Sequence, residues 1–94
     1  VIIFKGRSKL ERYTGKDNYG KPKSEYLKKI AAMTEDQLLK ETESKIWLSA
    51  YAANNPRSDF HWQCDATYDE WVKRGKVDQY NITYKKVMRS EGYE

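Results

Sequence analysis

From Ser24 onward the apolar residues recur at helical spacing, not in the alternation of a half-buried strand. Tyr26, Leu27 and Ile30 form a stripe that predicts a first helix over Ser24–Met33, with Ser24 as its cap. Thr34-Glu35-Asp36-Gln37 fits a capping box and predicts the start of a second helix. Leu39, Ile46, Ala50 and Ala53 fall on one face of that helix, with Trp47 and Tyr51 beside them and Trp47 expected on the core stripe. Its end is expected at Asn54-Asn55, because the residue before Pro56 is pushed out of the α region. Phe60, Cys64, Thr67, Tyr68, Trp71 and Val72 give the clearest helical face in the chain. Ser58 or Asp59 is its expected cap, Lys73 and Arg74 suit the negative end of its dipole, and Gly75 ends it. A fourth helix is expected with Asp78 as cap, Val77, Tyr80, Tyr84, Val87 and Met88 as buried stripe, and Gly92 after its end.

The chain before Ser24 reads differently. Val1 to Phe4 suits a short strand or an apolar anchor. Lys5 to Lys23 is charged and punctuated by Gly6, Gly15, Gly20 and Pro22, with turns expected at Thr14-Gly15 and Tyr19-Gly20. The pattern therefore predicts an all-α protein: a compact bundle of three to four helices over residues 24–94, preceded by an extended basic arm over residues 1–23.

Composition limits what such a bundle can be. Ninety-four residues make one domain with one modest core. Hydrophobic residues are 38% of the chain and aromatics 14%, so rings must supply much of the buried area. A single cysteine, Cys64, excludes an intramolecular disulfide and a cysteine-based zinc site. It favours a reducing, cytoplasmic setting. No apolar run is long enough to span a bilayer, and Val1 to Phe4 is too short for the apolar core of a signal peptide. No membrane partner is expected.

The net charge of +4 is uneven. Residues 1–30 hold nine Lys or Arg against three acids, whereas the remainder holds nine against eleven. The arm carries Lys5, Arg7, Lys9, Arg12, Lys16, Lys21 and Lys23, with Tyr13 and Tyr19 interleaved. Cations that neutralise phosphates, alternating with rings that stack on bases, are what nucleic-acid binding uses. A solvated basic terminus is the plainer alternative. A helix-turn-helix about Arg74-Gly75-Lys76 is disfavoured, because Asp78 and Gln79 would face the groove.

Three other sets bear on chemistry or contacts. His61, Asp65 and Asp69 lie four residues apart on one helical ridge, the residue types of a divalent-metal site and of metal-assisted hydrolysis. A single helix supplies only part of a coordination shell, so ordinary surface carboxylates are the stronger reading. Cys64 falls on the core face and reads as a small hydrophobe, not a nucleophile. Trp62 falls off the main stripe of its helix. It is either an exposed contact residue, forming a set with Arg57 and His61, or packed beneath the arm or against another helix. Nucleotide-loop and triad patterns do not occur, so neither an enzyme nor a cofactor is implied.

The stretch Leu38 to Trp71, LLKETESKIWLSAYAANNPRSDFHWQCDATYDEW, resembles small uncharacterised reading frames of tailed bacteriophages, as does the tail YNITYKKVMRSEGYE. That resemblance implies an accessory protein that engages and modulates a host protein complex in the bacterial cytoplasm. It transfers no functional residue. The combined expectation is a non-enzymatic binding protein that contacts a host protein through Arg57, His61 and Trp62. The alternative is nucleic-acid binding through the arm, and a homodimer burying a surplus apolar stripe is compatible with either.

Overall fold

A computed structural model describes residues 13–90. Within them the chain forms four helices: α1 (Lys23–Ala31), α2 (Glu35–Tyr51), α3 (Asp59–Lys73) and α4 (Val77–Ser90). The strand or apolar anchor expected at Val1 to Phe4, together with Lys5, Arg7, Lys9, Arg12 and Gly92, lies outside the described residues.

Side-chain pairs fix the helix directions. Ser49 meets His61 and Thr42 meets Trp71, so α2 and α3 are antiparallel. Lys76 pairs with Glu35 and Lys86 with Glu43, so α2 and α4 run the same way. Lys23 lies over Trp62 and Arg74 reaches Ile30, so α1 runs with α3. The result is an up-down-up-down arrangement of consecutive helices. The core lies among α2, α3 and α4, and α1 packs chiefly on α3.

The helix ends follow local chemistry. Thr34 and Gln37 complete the capping box of α2 reciprocally. Ser58 caps α3 by accepting from the Phe60 N–H at 3.2 Å. At the other end of α3, Gly75 takes φ +72°. The Gly75 N–H donates to the Val72 carbonyl and the Lys76 N–H to the Trp71 carbonyl, the paired bonds of a Schellman motif. Two expected caps are corrected. Pro22, not Ser24, precedes α1, whose first residue is Lys23. Proline's fixed φ suits entry to a helix, and Ser24 is then already inside it. Asp78 lies in the first turn of α4, where it faces the positive dipole end instead of capping. Helix α2 also stops at Tyr51, before Asn54, and a turn follows.

The buried set is Ile30, Leu38, Ile46, Cys64, Ala66, Trp71, Tyr80 and Val87, joined by Thr42, Thr67 and Thr83. Each threonine hydroxyl donates to a carbonyl of its own helix: Thr42 to Leu38 at 2.6 Å, Thr67 to Cys64 at 2.7 Å and Thr83 to Gln79 at 2.7 Å. A hydroxyl so satisfied costs little to bury, and the methyl group packs like that of valine. The face of α2 therefore centres on Leu38, Thr42 and Ile46, not on Leu39, Ala50 and Ala53. That rotation turns Trp47 outward, correcting its expected place in the core. Trp71 is wholly buried, as its stripe predicts. Cys64 is also buried, with its sulfur 3.3 Å from the Tyr80 hydroxyl. No helix of the described residues is long and apolar enough to cross a membrane.

Candidate functional site

Trp62 sits where α1, α3 and the chain before α1 converge. It is half-buried. Tyr26 meets it edge-on at 5.5 Å and Tyr13 at 6.5 Å, while the Lys23 ammonium lies 5.2 Å above its ring. Its indole N–H donates to Asp59 Oδ1 at 2.9 Å. Trp62 is thus packed beneath the described part of the arm, the second of its two expected placements. Around it, the Tyr26 hydroxyl donates to Glu41 Oε2 at 2.6 Å. Lys45 pairs with Glu41 at 3.3 Å and lies over the Tyr26 and Phe60 rings. Burial first, and then the neighbouring Glu41 carboxylate, push the Tyr26 phenol far above its ordinary range.

His61 is committed within the fold. Its Nε2 lies 3.1 Å from the Ala52 carbonyl and 2.9 Å from that of Asn55. Carbonyl oxygens only accept, so Nε2 carries the proton. In the neutral ring Nδ1 accepts from the Ser49 hydroxyl at 2.7 Å. The ring thereby caps the carbonyl end of α2. Asp69 accepts from the Tyr13 hydroxyl. His61, Asp65 and Asp69 do share a ridge of α3, but both ring nitrogens of His61 are occupied. Among the described residues no group of three His, Cys, Asp or Glu is placed to hold a metal. Cys64 is no better placed for chemistry, since burial raises its thiol pKa and leaves the sulfur protonated.

Arg57, from the same expected contact set, is exposed on the loop between α2 and α3. Tyr13, Lys16, Tyr19, Lys21 and Lys23 are the described members of the basic set, and they do not trail away from the bundle. The Asn18 backbone N–H reaches both Asp59 carboxylate oxygens at 3.2 and 3.3 Å, and its side-chain amide donates to the Arg57 carbonyl at 2.8 Å. The turn from Lys16 to Lys21 is thereby held against the Arg57 loop. Periodicity gives no sign of this juxtaposition, because Asn18 in a glycine-punctuated segment reads simply as a turn residue.

Two further features lie away from Trp62. Trp47 and Tyr51 stack at 5.6 Å and 10° on the outer face of α2, with 39% and 74% of their surfaces exposed. Their four-residue spacing was visible, but not the rotation of α2 that turns them outward. An open groove of about 880 Å³ between α1 and α3 is walled by Leu27, Ile30, Ala66 and Val72. The carboxylates on its rim are engaged, Asp69 by Tyr13 and Glu70 by Arg74. No family model, curated protein or solved structure matches the chain.

Proposed function

We propose that the protein acts without catalysis, by binding a protein partner through the outer face of α2. The observation that carries this reading is the Trp47–Tyr51 stack, two large rings held parallel and open to solvent on a regular helix. Rings ordered before binding lose little rotamer freedom when a partner covers them, and Trp and Tyr dominate the energetic centres of interfaces. Arg57, on the loop that follows α2, extends the surface with an exposed guanidinium. Trp62 and His61 support that loop from within. The likeness of Leu38–Trp71 to small phage reading frames points to a host protein complex as the partner, and so to a bacterial lysate as its source.

The test is capture from such a lysate by the parent chain and by Trp47→Ala and Tyr51→Ala chains, then titration of the captured protein. Each substitution is expected to weaken binding by about 30-fold or more, the effect of removing a hot spot of at least about 2 kcal/mol. Equal affinity for parent and variants would remove the α2 face from the reading.

A further inference from the structure

The turn beside α3 has a built and directional form. Its two limbs are tied by the Lys16–Pro22 bridge and by the Asp17 N–H donating to the Lys21 carbonyl at 2.8 Å. The Asp17 carboxylate folds into the turn, accepting from the Tyr19 and Lys21 N–H groups at 2.9 Å each. Gly20 supplies the positive φ, +82°, that closes it. Asp59 is likewise turned inward, onto Asn18 and Trp62. The two local acids are half-buried and engaged, whereas Lys16, Lys21 and Arg57 are exposed. These three side chains enter no ion pair among the described residues. Tyr19, between Lys16 and Lys21 in sequence, is 87% exposed, on a backbone that its neighbours hold in place.

We propose that the Lys16–Lys21 turn and the adjoining Arg57 loop form a binding patch for single-stranded nucleic acid. Tyr19 stacks on an unpaired base, and Lys16, Lys21 and Arg57 contact the phosphates that flank it. The assignment rests on two features that occur together. Exposed cations without an ion-pair partner among the described residues are complementary to a polyanion. A projecting ring recognises the face of a base, which a single strand offers and a duplex hides within its stack. The patch shares Arg57 with the protein-partner surface but not the Trp47–Tyr51 stack, so Tyr19, Lys16 and Lys21 test it independently of the protein-partner reading.

The experiment uses the full chain with fluorescent oligo-dT and oligo-rU of about 12 nucleotides, a typical single-strand site size, and a duplex of equal length. Each is titrated across a series of salt concentrations. The parent is expected to bind single strands more tightly than duplex, with affinity falling steeply as salt rises. Tyr19→Ala should weaken single-strand binding by about 5- to 150-fold, the range for loss of one base–ring stack, and Tyr19→Phe should retain it. Lys16→Ala, Lys21→Ala and Arg57→Ala should each flatten the slope of log K against log salt by about 0.7, one phosphate contact on a single strand. The ratio of dT to rU affinity identifies the natural strand. Equal binding by Tyr19→Ala and parent overturns the proposal. So does duplex binding as tight as single-strand binding, or unchanged affinity and slope when Lys16, Lys21 and Arg57 are all replaced. Absence of binding at low salt overturns it as well.

Discussion

The Trp71 indole N–H donates to the Thr42 hydroxyl oxygen at 2.9 Å, across the interface of α2 and α3 and out of reach of solvent. The hydroxyl in turn donates a hydrogen bond to the Leu38 carbonyl. One threonine therefore satisfies the only polar atom of the largest wholly buried side chain. Thr42→Val keeps the shape and strands the indole N–H. The expected cost is about 1–3 kcal/mol, read as a lower urea midpoint with an unchanged m value. An unchanged midpoint would show that the bond contributes nothing net.

Arg74 performs a second capping task. Its Nε pairs with Glu70 at 2.7 Å, while Nη2 reaches the carbonyls of Met33 at 2.9 Å and Ile30 at 3.2 Å. A cation thus sits at the negative end of α1, held by the last turn of α3. Arg74→Ala should destabilise by about 1.5–3 kcal/mol, as for hydrogen bonds to a charged group. Arg74→Lys should recover only part of this, because an ammonium cannot reproduce the planar fork. Amide exchange should quicken first at Ala32 and Met33, whose N–H groups close the end of α1.

The capping box of α2 gives a cleaner local test. Thr34→Ala removes one acceptor and leaves the Gln37 N–H without its partner. A loss of about 0.5–2 kcal/mol is expected. Thr34→Ser should be nearly silent in the same denaturation assay.

Stability should fall on the alkaline side. Cys64, Tyr26 and Tyr80 are all held protonated, in each case chiefly by burial, with pKa values above their ordinary 9.0 and 10.0. Above those ordinary values the unfolded chain releases protons that the folded chain keeps. The unfolded state then binds fewer protons, and the slope of stability with pH is negative. The contribution is complete below pH about 8.5 and is progressively lost as pH climbs toward the folded-state values. Thermal melts between neutral pH and pH about 11 should show the decline, and Cys64→Ala should remove its earliest part. A flat profile would contradict the assignment.

Trp62 ties the early chain to α3. Trp62→Ala should release the Lys16–Lys21 turn and speed tryptic cleavage after Lys16 and Lys23, while Trp62→Phe should retain much of the protection. Equal cleavage in parent and Trp62→Ala would mean that Asn18 alone holds the turn.

What the chain discloses by itself depends on how far each determinant reaches. The Thr34–Gln37 box, Gly75, the Trp71 stripe and buried Cys64 are legible because they are set within a few residues. The face of α2 is misread because its centre is Thr42, a residue that counts as polar until its hydroxyl is seen bonded to its own helix. Ala66 and Trp62 face α1, a second wall that α3's own periodicity cannot reveal. Arg74 reads as a dipole partner of α3, yet its guanidinium serves α1, since only tertiary packing brings Met33 within reach. The site was divided in the same way. Arg57 and the basic turn belong to separate sequence patterns, and the Asn18 bonds join them.

The dependence of α1 on Arg74 also sets an order of events during synthesis. Helices α2, α3 and α4 begin to close on their sequence neighbours as they emerge, through pairs as near in sequence as Ser49–His61 and Cys64–Tyr80, of the kind that form quickly. Helix α1 packs on α3, and its terminal partner lies 44 positions downstream of Ile30. At roughly 5–20 residues per second that separation is about 2–9 s of translation. The Lys16–Lys21 turn hangs on Asp59 and Trp62 of the same helix, so it too waits. The earliest-made part of the described chain is thus seated only after α3 has left the ribosome.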